Sequence, residues 1–404
     1  MNRFDIAVIG GGMVGASFAL ALAESGRSIV LVEGVAPDSQ AQPSFDERTT
    51  ALGNASRRIF QSLGIWNRIA PYSAAIRVIH VSDAGRFGFA RLDAAEQGID
   101  AFGYVAPNRV IGTALWRGLE SARPRIELCA PARPEDLEIN ADGIEFTLAA
   151  PNGAERVHAR LVVAADGAES KVRAAAGIAA SVEDYGQVAL VSNVSADRPQ
   201  QGIAFERFTE AGPLAVLPLH DGSYTMVWAL SPEAAERALA LDEREFIREL
   251  QHHFGWRAGR FLRVGRRVAY PLKLSRAMSA SAPRTVLIGN ASQALHPVAG
   301  QGFNLGLRDA AALAELLASD TLDPGSADLL ARFAAWRAED RRGVVRFTDG
   351  LVKLFGDRRP HVRAARDLGL LLFDIVPPVK SALARVSAGF GGRTPRLARG
   401  LRLS

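Results

Sequence analysis

The chain has 404 residues, 48% hydrophobic and 23% charged, which suits one large globular unit or two joined ones with ample core. Its formal charge of +5 is carried by arginines scattered among acids, with only 7% aromatic residues, which speaks against nucleic-acid binding. One cysteine, Cys129, excludes an intrachain disulfide framework and fits a reducing cytoplasm, and no uninterrupted apolar run of about 18 residues marks a transmembrane helix.

Met1 is followed almost at once by a strand pattern, Phe4-Asp-Ile-Ala-Val-Ile-Gly10, so no signal peptide is expected. The opening reads strand (4–9), glycine turn, helix (13–25), strand (28–33), a βαβ unit. Gly10-Gly-Gly12-Met-Val-Gly15 matches the dinucleotide fingerprint and sits where its mechanism needs it, between a strand and a helix. Gly10 suits the tight turn, Gly12 admits a pyrophosphate, and Gly15 lets the helix pack on the strand. Glu33 closes the second strand, where a carboxylate accepts hydrogen bonds from a ribose diol.

Helical periodicity recurs at 54–63 and 108–121, and strand alternation at 142–149 and 156–165. A buried strand then runs into Asp166-Gly167 and a short helix carrying Ser170 and Arg173. Residues 76–90 and 186–230 differ, with short alternating runs between Gly, Pro, Asp and Asn. Val188–Val194, Leu214–Leu219 and Tyr224–Leu230 are examples, and they predict an antiparallel sheet. A helix at 242–253 and a strand near 266–274 follow. The fold class expected is α/β: a Rossmann-like, discontinuous cofactor domain (1–75, 100–180 and 275–355) with an inserted antiparallel substrate domain (76–99 and 181–274). Residues 356–404 complete the chain as C-terminal helices and a basic tail.

The stretch from Gly289 to Asp309 is the most informative. A short strand, Thr285-Val-Leu-Ile-Gly289, leads through a Pro- and Gly-rich turn into a helix from Phe303 to about Ala318. Gly300 and Gly302 let backbone approach a flat ligand, and the helix start offers free N–H groups to developing negative charge. A reduced flavin is such a ligand. His296 titrates near neutral pH and is a candidate base or proton relay, with a packed structural histidine as the alternative. Pro297 is a candidate to present its carbonyl to substrate or flavin.

These segments closely resemble the motifs of FAD-dependent aromatic hydroxylases, and the variant with Asn290, His296 and Phe303 resembles the ubiquinone-biosynthesis branch. That branch acts on 2-polyprenyl-6-methoxyphenol. Most relatives carry Gly-Asp where this chain has Gly289-Asn290; the branch resembled here also carries Asn. The resemblance implies FAD contacts at Gly10, Gly12, Val14, Gly15, Glu33, Arg48, Arg109, Asp166, Gly167, Asn290, Gly300, Gly302, Phe303 and Asn304. It further implies NADPH or NADH as reductant, dioxygen as co-substrate, and transfer of oxygen from a C4a-hydroperoxyflavin to the ring of a polyprenyl phenol, para to its hydroxyl. Cofactor chemistry then dominates, and the protein supplies orientation and dryness. Other chemistry on the same fold stays open: an aromatic-acid hydroxylase, an epoxidase, a reductase, or a non-catalytic subunit of a quinone-biosynthesis complex.

No metal-ligand spacing and no nucleophile elbow is visible. Near the end, Leu368-Gly-Leu-Leu-Leu-Phe-Asp-Ile-Val376 is apolar, and Arg393, Arg396, Arg399 and Arg402 follow without an intervening acid. Such a tail reads as solvated and mobile, with peripheral contact to anionic lipid at the inner membrane as the sharper alternative.

Overall fold

The computed structural model describes the chain apart from residues 38, 40–47, 86–88, 296–299, 321–322, 357–358, 360–387, 391 and 404. His296, Pro297 and the apolar stretch 368–376 therefore lie outside the described residues.

The first part of the chain runs β1 (Asn2–Ile9), α1 (Met13–Ala21), β2 (Ile29–Val32), β3 (Thr49–Gly53), α2 (Asn54–Ser62), α3 (Trp66–Ile69), β4 (Ala74–Ile76), β5 (Val78–Asp83) and β6 (Phe89–Asp93). It continues with β7 (Gly103–Pro107), α4 (Asn108–Ser121), β8 (Ile126–Cys129), β9 (Arg133–Ile139), β10 (Ile144–Ala150), β11 (Gly153–Ala164) and α5 (Lys171–Ala175). The middle comprises β12 (Ala180–Ala196), β13 (Ile203–Thr209), β14 (Gly212–Pro218), β15 (Tyr224–Leu230), α6 (Pro232–Ala240), α7 (Glu243–Phe254), β16 (Phe261–Val264) and β17 (Val268–Ala277). Last come β18 (Ser281–Ala282), β19 (Thr285–Leu287), β20 (Gln293–Ala294), α8 (Gln301–Ser319) and α9 (Ala327–Gly356). The helix expected to reach residue 25 ends at Ala21, where the chain passes into turns.

One sheet has the order β18-β19-β11-β1-β2-β8, with β19, β11, β1, β2 and β8 parallel. Its inner strands read as unbroken apolar runs because both faces are covered; Ile6–Ile9 and Ile29–Val32 are almost wholly buried. Helices α1, α4 and α8 contribute Phe18, Leu22, Leu115, Leu119, Leu313 and Leu317 to the core on one face. The register brings four strand ends level: Ile9 pairs with both Val32 and Ala164, and Ala164 pairs with Leu287. The residues that follow these ends therefore gather at one edge, where open α/β sheets bind ligands.

A second sheet, β20-β17-β12-β15-β14-β13-β5-β6 with β16 beside β12, is antiparallel except for the β13–β5 pair. Strict alternation sends Leu190, Leu214, Val216, Met226 and Trp228 to one side, sealed beneath α6 and α7. The opposite side faces the small sheet β3-β7-β4, where Ile79, Leu92, Ala204 and Leu217 pack against Ala51, Ile76 and Val105.

The C-terminal reading needs correction. Among the described residues, the basic stretch is not a free tail. Leu397 and Ala398 are buried in the main core, the Ser62 hydroxyl donates to Leu397 O, and Arg396 N donates to Glu315 Oε2 at 2.6 Å. Arg393 lies over the Trp336 ring at 4.1 Å. Three buried residues, Pro395, Leu397 and Ala398, in a stretch with four arginines suffice to dock it, because long arginine side chains keep their guanidinium groups outward while the apolar residues turn in.

Candidate cofactor and substrate site

At the end of β1 the chain turns at Gly10, whose φ of +104° places it in the region that favours glycine. An added Cβ there would lie 2.4 Å from Ala165 O, and one on Gly15 would lie 2.0 Å from Gly10 O. The turn and the first strand–helix contact therefore exclude a side chain at both positions. Gly12 precedes α1, and its carbonyl accepts from Ala16 N. The turn is held from outside by Trp116, whose Nε1 donates to Gly11 O at 3.1 Å. Glu33 holds it from below, its Oε2 accepting from Gly11 N at 2.6 Å and its Oε1 from Val35 N at 2.9 Å. Each carboxylate oxygen thus keeps a free acceptor direction for a ligand hydroxyl.

Asp166 follows the neighbouring strand end. Its Oδ2 accepts from Val172 N at 3.2 Å, while its Oδ1 is buried and has no hydrogen-bond partner among the described residues. A buried carboxylate oxygen left without a donor is costly, so this atom calls for a donor from outside the protein. Gly167, at φ +91°, has nothing within 4 Å of the position a Cβ would take. Ser170 caps α5 by accepting from Arg173 N, and the Arg173 guanidinium donates to Ala168 O and Ala291 O. That arginine ties the loop after β11 to the loop after β19.

The third segment meets the first at Gly289. A Cβ on Gly306 of α8 would stand 2.9 Å from Gly289 Cα, and one on Gly289 would stand 3.2 Å from Val14 Cγ1. The Val14 side chain is placed in this crossing of α1 and α8. Asn290 is exposed in the turn Gly289–Ala291. Gly300, at φ +59°, immediately precedes α8. Among the described residues, a Cβ on Gly302 would meet only Leu295 at an ordinary 3.9 Å, so they do not demand glycine there, whereas a closely seated ligand would. Phe303 packs partly on Phe60, with ring centroids 6.3 Å apart.

Asn304 departs from the expectation for a cofactor contact. Its Oδ1 accepts from Gly53 N and Ser56 Oγ, and its Nδ2 donates to Ala51 O and Gly300 O. All four hydrogen-bonding positions of the amide are taken by protein. The side chain is a positioning group that fixes the start of α8 against β3 and α2.

Arg48 and Arg109 come together through the backbone: Asn108 N donates to Arg48 O at 2.8 Å, and Thr50 Oγ1 donates to Asn108 Oδ1. Arg109 is exposed in the first turn of α4, and the Arg48 guanidinium lies 4.8 Å from the centroid of the Tyr270 ring on β17. Arg48 thus bridges the two sheets. Its predecessors Asp46 and Glu47 fall outside the described residues.

Sequence reasoning missed a buried charge network behind this site. Arg308 pairs with Asp340, Arg337 bridges Asp309 and Asp340, and Arg341 pairs with Asp309. Burial opposes ionisation of Asp340, yet Arg308 and Arg337 hold its carboxyl below the usual range. The signal was present as adjacent charges, Arg308 and Asp309, in the apolar α8 and as Arg337, Asp340 and Arg341 spaced three and four apart on α9, but pairing between helices leaves no trace in a single segment.

Gly10, Glu33, Asp166 and Gly289 stand beyond four level strand ends, and an orphaned carboxylate oxygen and glycines with ligand-side room lie among them. This edge fits an extended, hydroxyl-bearing dinucleotide. A family model described as FAD binding domain matches residues 3–348. The chain is 38% identical to Ubiquinone hydroxylase UbiL of Rhodospirillum rubrum, over 99% of this chain and 93% of that protein. It is 32% identical to 3-demethoxyubiquinol 3-hydroxylase of Escherichia coli, over 95% and 98%. Its fold matches that of p-nitrophenol 4-monooxygenase PnpA from Pseudomonas putida with a TM-score of 0.80, at 21% identity over 97% and 100% of the two chains. The chain belongs to the FAD binding domain family and is an FAD-dependent monooxygenase.

Proposed function

We propose that this monooxygenase hydroxylates the ring of a polyprenylated phenol in ubiquinone biosynthesis, with 2-polyprenyl-6-methoxyphenol as substrate and the position para to its hydroxyl as target. The observation that carries the reading is full-length relatedness to proteins named as ubiquinone hydroxylases, combined with an inner sheet face that is mostly apolar. Such a face suits a greasy phenol better than a benzoate, which would need a cationic grip.

Gly10, Gly12, Gly15 and the start of α1 take the pyrophosphate, helped by Arg109, and Glu33 takes a ribose diol. Asp166 Oδ1 and Asn290 accept or share hydroxyl hydrogens along the linker. Gly300, Gly302 and the N–H groups opening α8 face the ring system, where the helix end stabilises negative charge. FAD held by these residues and reduced by NADPH or NADH would supply the redox chemistry that activates dioxygen. The protein's task is to hold the phenol ring against it and keep water out.

A polyprenyl substrate resides in a bilayer, so peripheral contact with the inner membrane belongs to this reading, as does delivery through a quinone-biosynthesis complex. No helix among the described residues is long and apolar enough to cross a membrane. The apolar run Leu368–Val376 is the candidate contact.

Lipid extracts of a strain lacking this chain test the reading. Mass analysis is expected to show an accumulated polyprenyl phenol lacking one ring oxygen, cleared by the native gene and not by Gly15→Val. Accumulation of a carboxylated or already trihydroxylated ring would contradict the assigned step.

A further inference from the structure

One cross-strand row of the antiparallel sheet is unlike the rest. Its register runs Val268, Val191, Val227, Ala215, Glu206, Val81, Ala90 across seven strands. Six members are apolar and the fifth is a glutamate. On the central strands the residues preceding and following, such as Leu190, Leu214, Val216, Met226 and Trp228, are sealed under α6 and α7. The row itself, apart from Ala90, is only half-buried although it crosses the middle of a sheet. It faces the small sheet β3-β7-β4: Ala204, two residues before Glu206, belongs to the apolar cluster against which Ala51 packs. The Ala51 Cβ in turn is 3.2 Å from where a Cβ on Gly300 would stand. An accessible apolar wall that leads to the start of α8 is where a phenol ring would lie.

We propose that Glu206 is a catalytic residue that accepts the hydroxyl proton of the bound phenol and orients its ring. This rests on the phenol-hydroxylase reading above. The phenolic O–H bond breaks, the electron pair stays on oxygen, and the proton passes to a Glu206 carboxylate oxygen. The ring carbons ortho and para to that oxygen become more nucleophilic. The proton returns to the same oxygen once the ring carries its new hydroxyl, leaving Glu206 ionised.

The surroundings suit that task. Burial alone pushes the Glu206 carboxyl from 4.5 up to about 7, closer to a phenol than an ordinary carboxylate. Charged neighbours are turned elsewhere. On β13 itself, Arg207 alternates to the opposite side, bonded to His253 O and Ser82 Oγ. Strand β14 offers only Pro213, Ala215 and Leu217 on this side. On β5 the nearest titratable group by alternation is Asp83, buried beside Phe208. On β17 it is Tyr270, covered by Arg48 from the segment before β3.

The test uses FAD-loaded protein, NADPH and a short-chain 2-prenylphenol in detergent, with hydroxylated product followed across pH. The native kcat/KM is expected to fall as pH drops through about 7. Glu206→Gln should lower it on the order of 100-fold and abolish that acid limb, while Glu206→Asp restores part of both. Replacing an unpaired, half-buried carboxyl by an amide should not lower the melting temperature, so loss of fold does not confuse the result. A Gln variant with the native rate, or with the native acid limb, overturns the proposal. If the native protein forms no hydroxylated product while its flavin is reduced, the phenol reading fails, and the role of Glu206 with it.

Discussion

Two carboxyl groups, the buried Asp340 and the half-buried Glu206, show how the two halves of the molecule treat charge differently. Asp340, 9% exposed, sits behind the cofactor edge between Arg308 and Arg337. Burial works against its ionisation, and the two guanidinium groups overcome it and hold the carboxyl below 3.8. Glu206 faces the interior from the antiparallel sheet with no charged partner among the described residues, and burial drives it up to about 7. A charge that closes a structure is paired and silent. One that is left unpaired at an accessible wall is available for chemistry.

The largest effect should come from breaking the paired region. Asp309 receives both Arg337 and Arg341, so Asp309→Ala strips the partly buried Arg341 of its carboxylate and leaves the buried Arg337 with Asp340 alone, which should cost about 3 kcal/mol. Denaturant unfolding or loss of soluble protein would register it. Replacing the network by well-packed apolar side chains should cost far less, which separates the harm of an orphaned charge from any merit of the pairs.

Next in size are the glycines. Gly15→Ala places a methyl group 2.0 Å from Gly10 O, so flavin absorbance of the purified protein should vanish and stability should fall. Among the described residues Gly302→Ala meets only Leu295 at 3.9 Å; the apoprotein should melt as the native does while FAD affinity drops. Equal loss of apoprotein stability in both variants would show that Gly302 serves packing instead of a ligand.

The two carboxyls predict opposite slopes of stability against pH. Asp340 has a lowered folded value, so its contribution is present above 3.8 and is lost as pH falls below it. Glu206 has a raised folded value, so its contribution is full below 4.5 and is lost as pH rises through about 7. Melting temperatures of the native protein and Glu206→Gln should therefore diverge across that interval, with the variant the flatter. Parallel curves would remove the enclosed-carboxyl description.

The smallest effect belongs to the exposed pair Arg332–Asp328 on α9, whose side chains are 47% and 80% accessible. Arg332 also meets Asp320 across the loop, so the i,i+4 pair alone should contribute less than about 0.5 kcal/mol. Asp328→Asn should leave the melting temperature within error.

Much of the parallel-sheet edge was legible in the sequence, because its signals are local. Gly15 is forced by Gly10 O within the same turn and Gly10 by the turn's own positive φ, and the helices at 54–62 and 108–121 carry a clear apolar period. The role of Asn304 was not legible, since its four partners come from β3, α2 and the residue before α8, and an asparagine at a helix start looks the same with or without them. The docked C-terminal segment was hidden for a related reason. Four arginines dominate its composition, while Leu397 and Ala398 decide where it sits. Glu206 was invisible for a third reason: strand alternation assigns it a side, but only the register across seven strands shows that its row is otherwise apolar.

The most direct test of the account is isotopic. Purified FAD-loaded protein, NADPH, a short-chain 2-prenylphenol and oxygen-18 gas should give a ring-hydroxylated product carrying one oxygen-18 atom per molecule. Product whose new oxygen comes from water, or NADPH oxidation with no hydroxylated phenol, would contradict the assignment of this chain as an aromatic-ring monooxygenase of the quinone pathway.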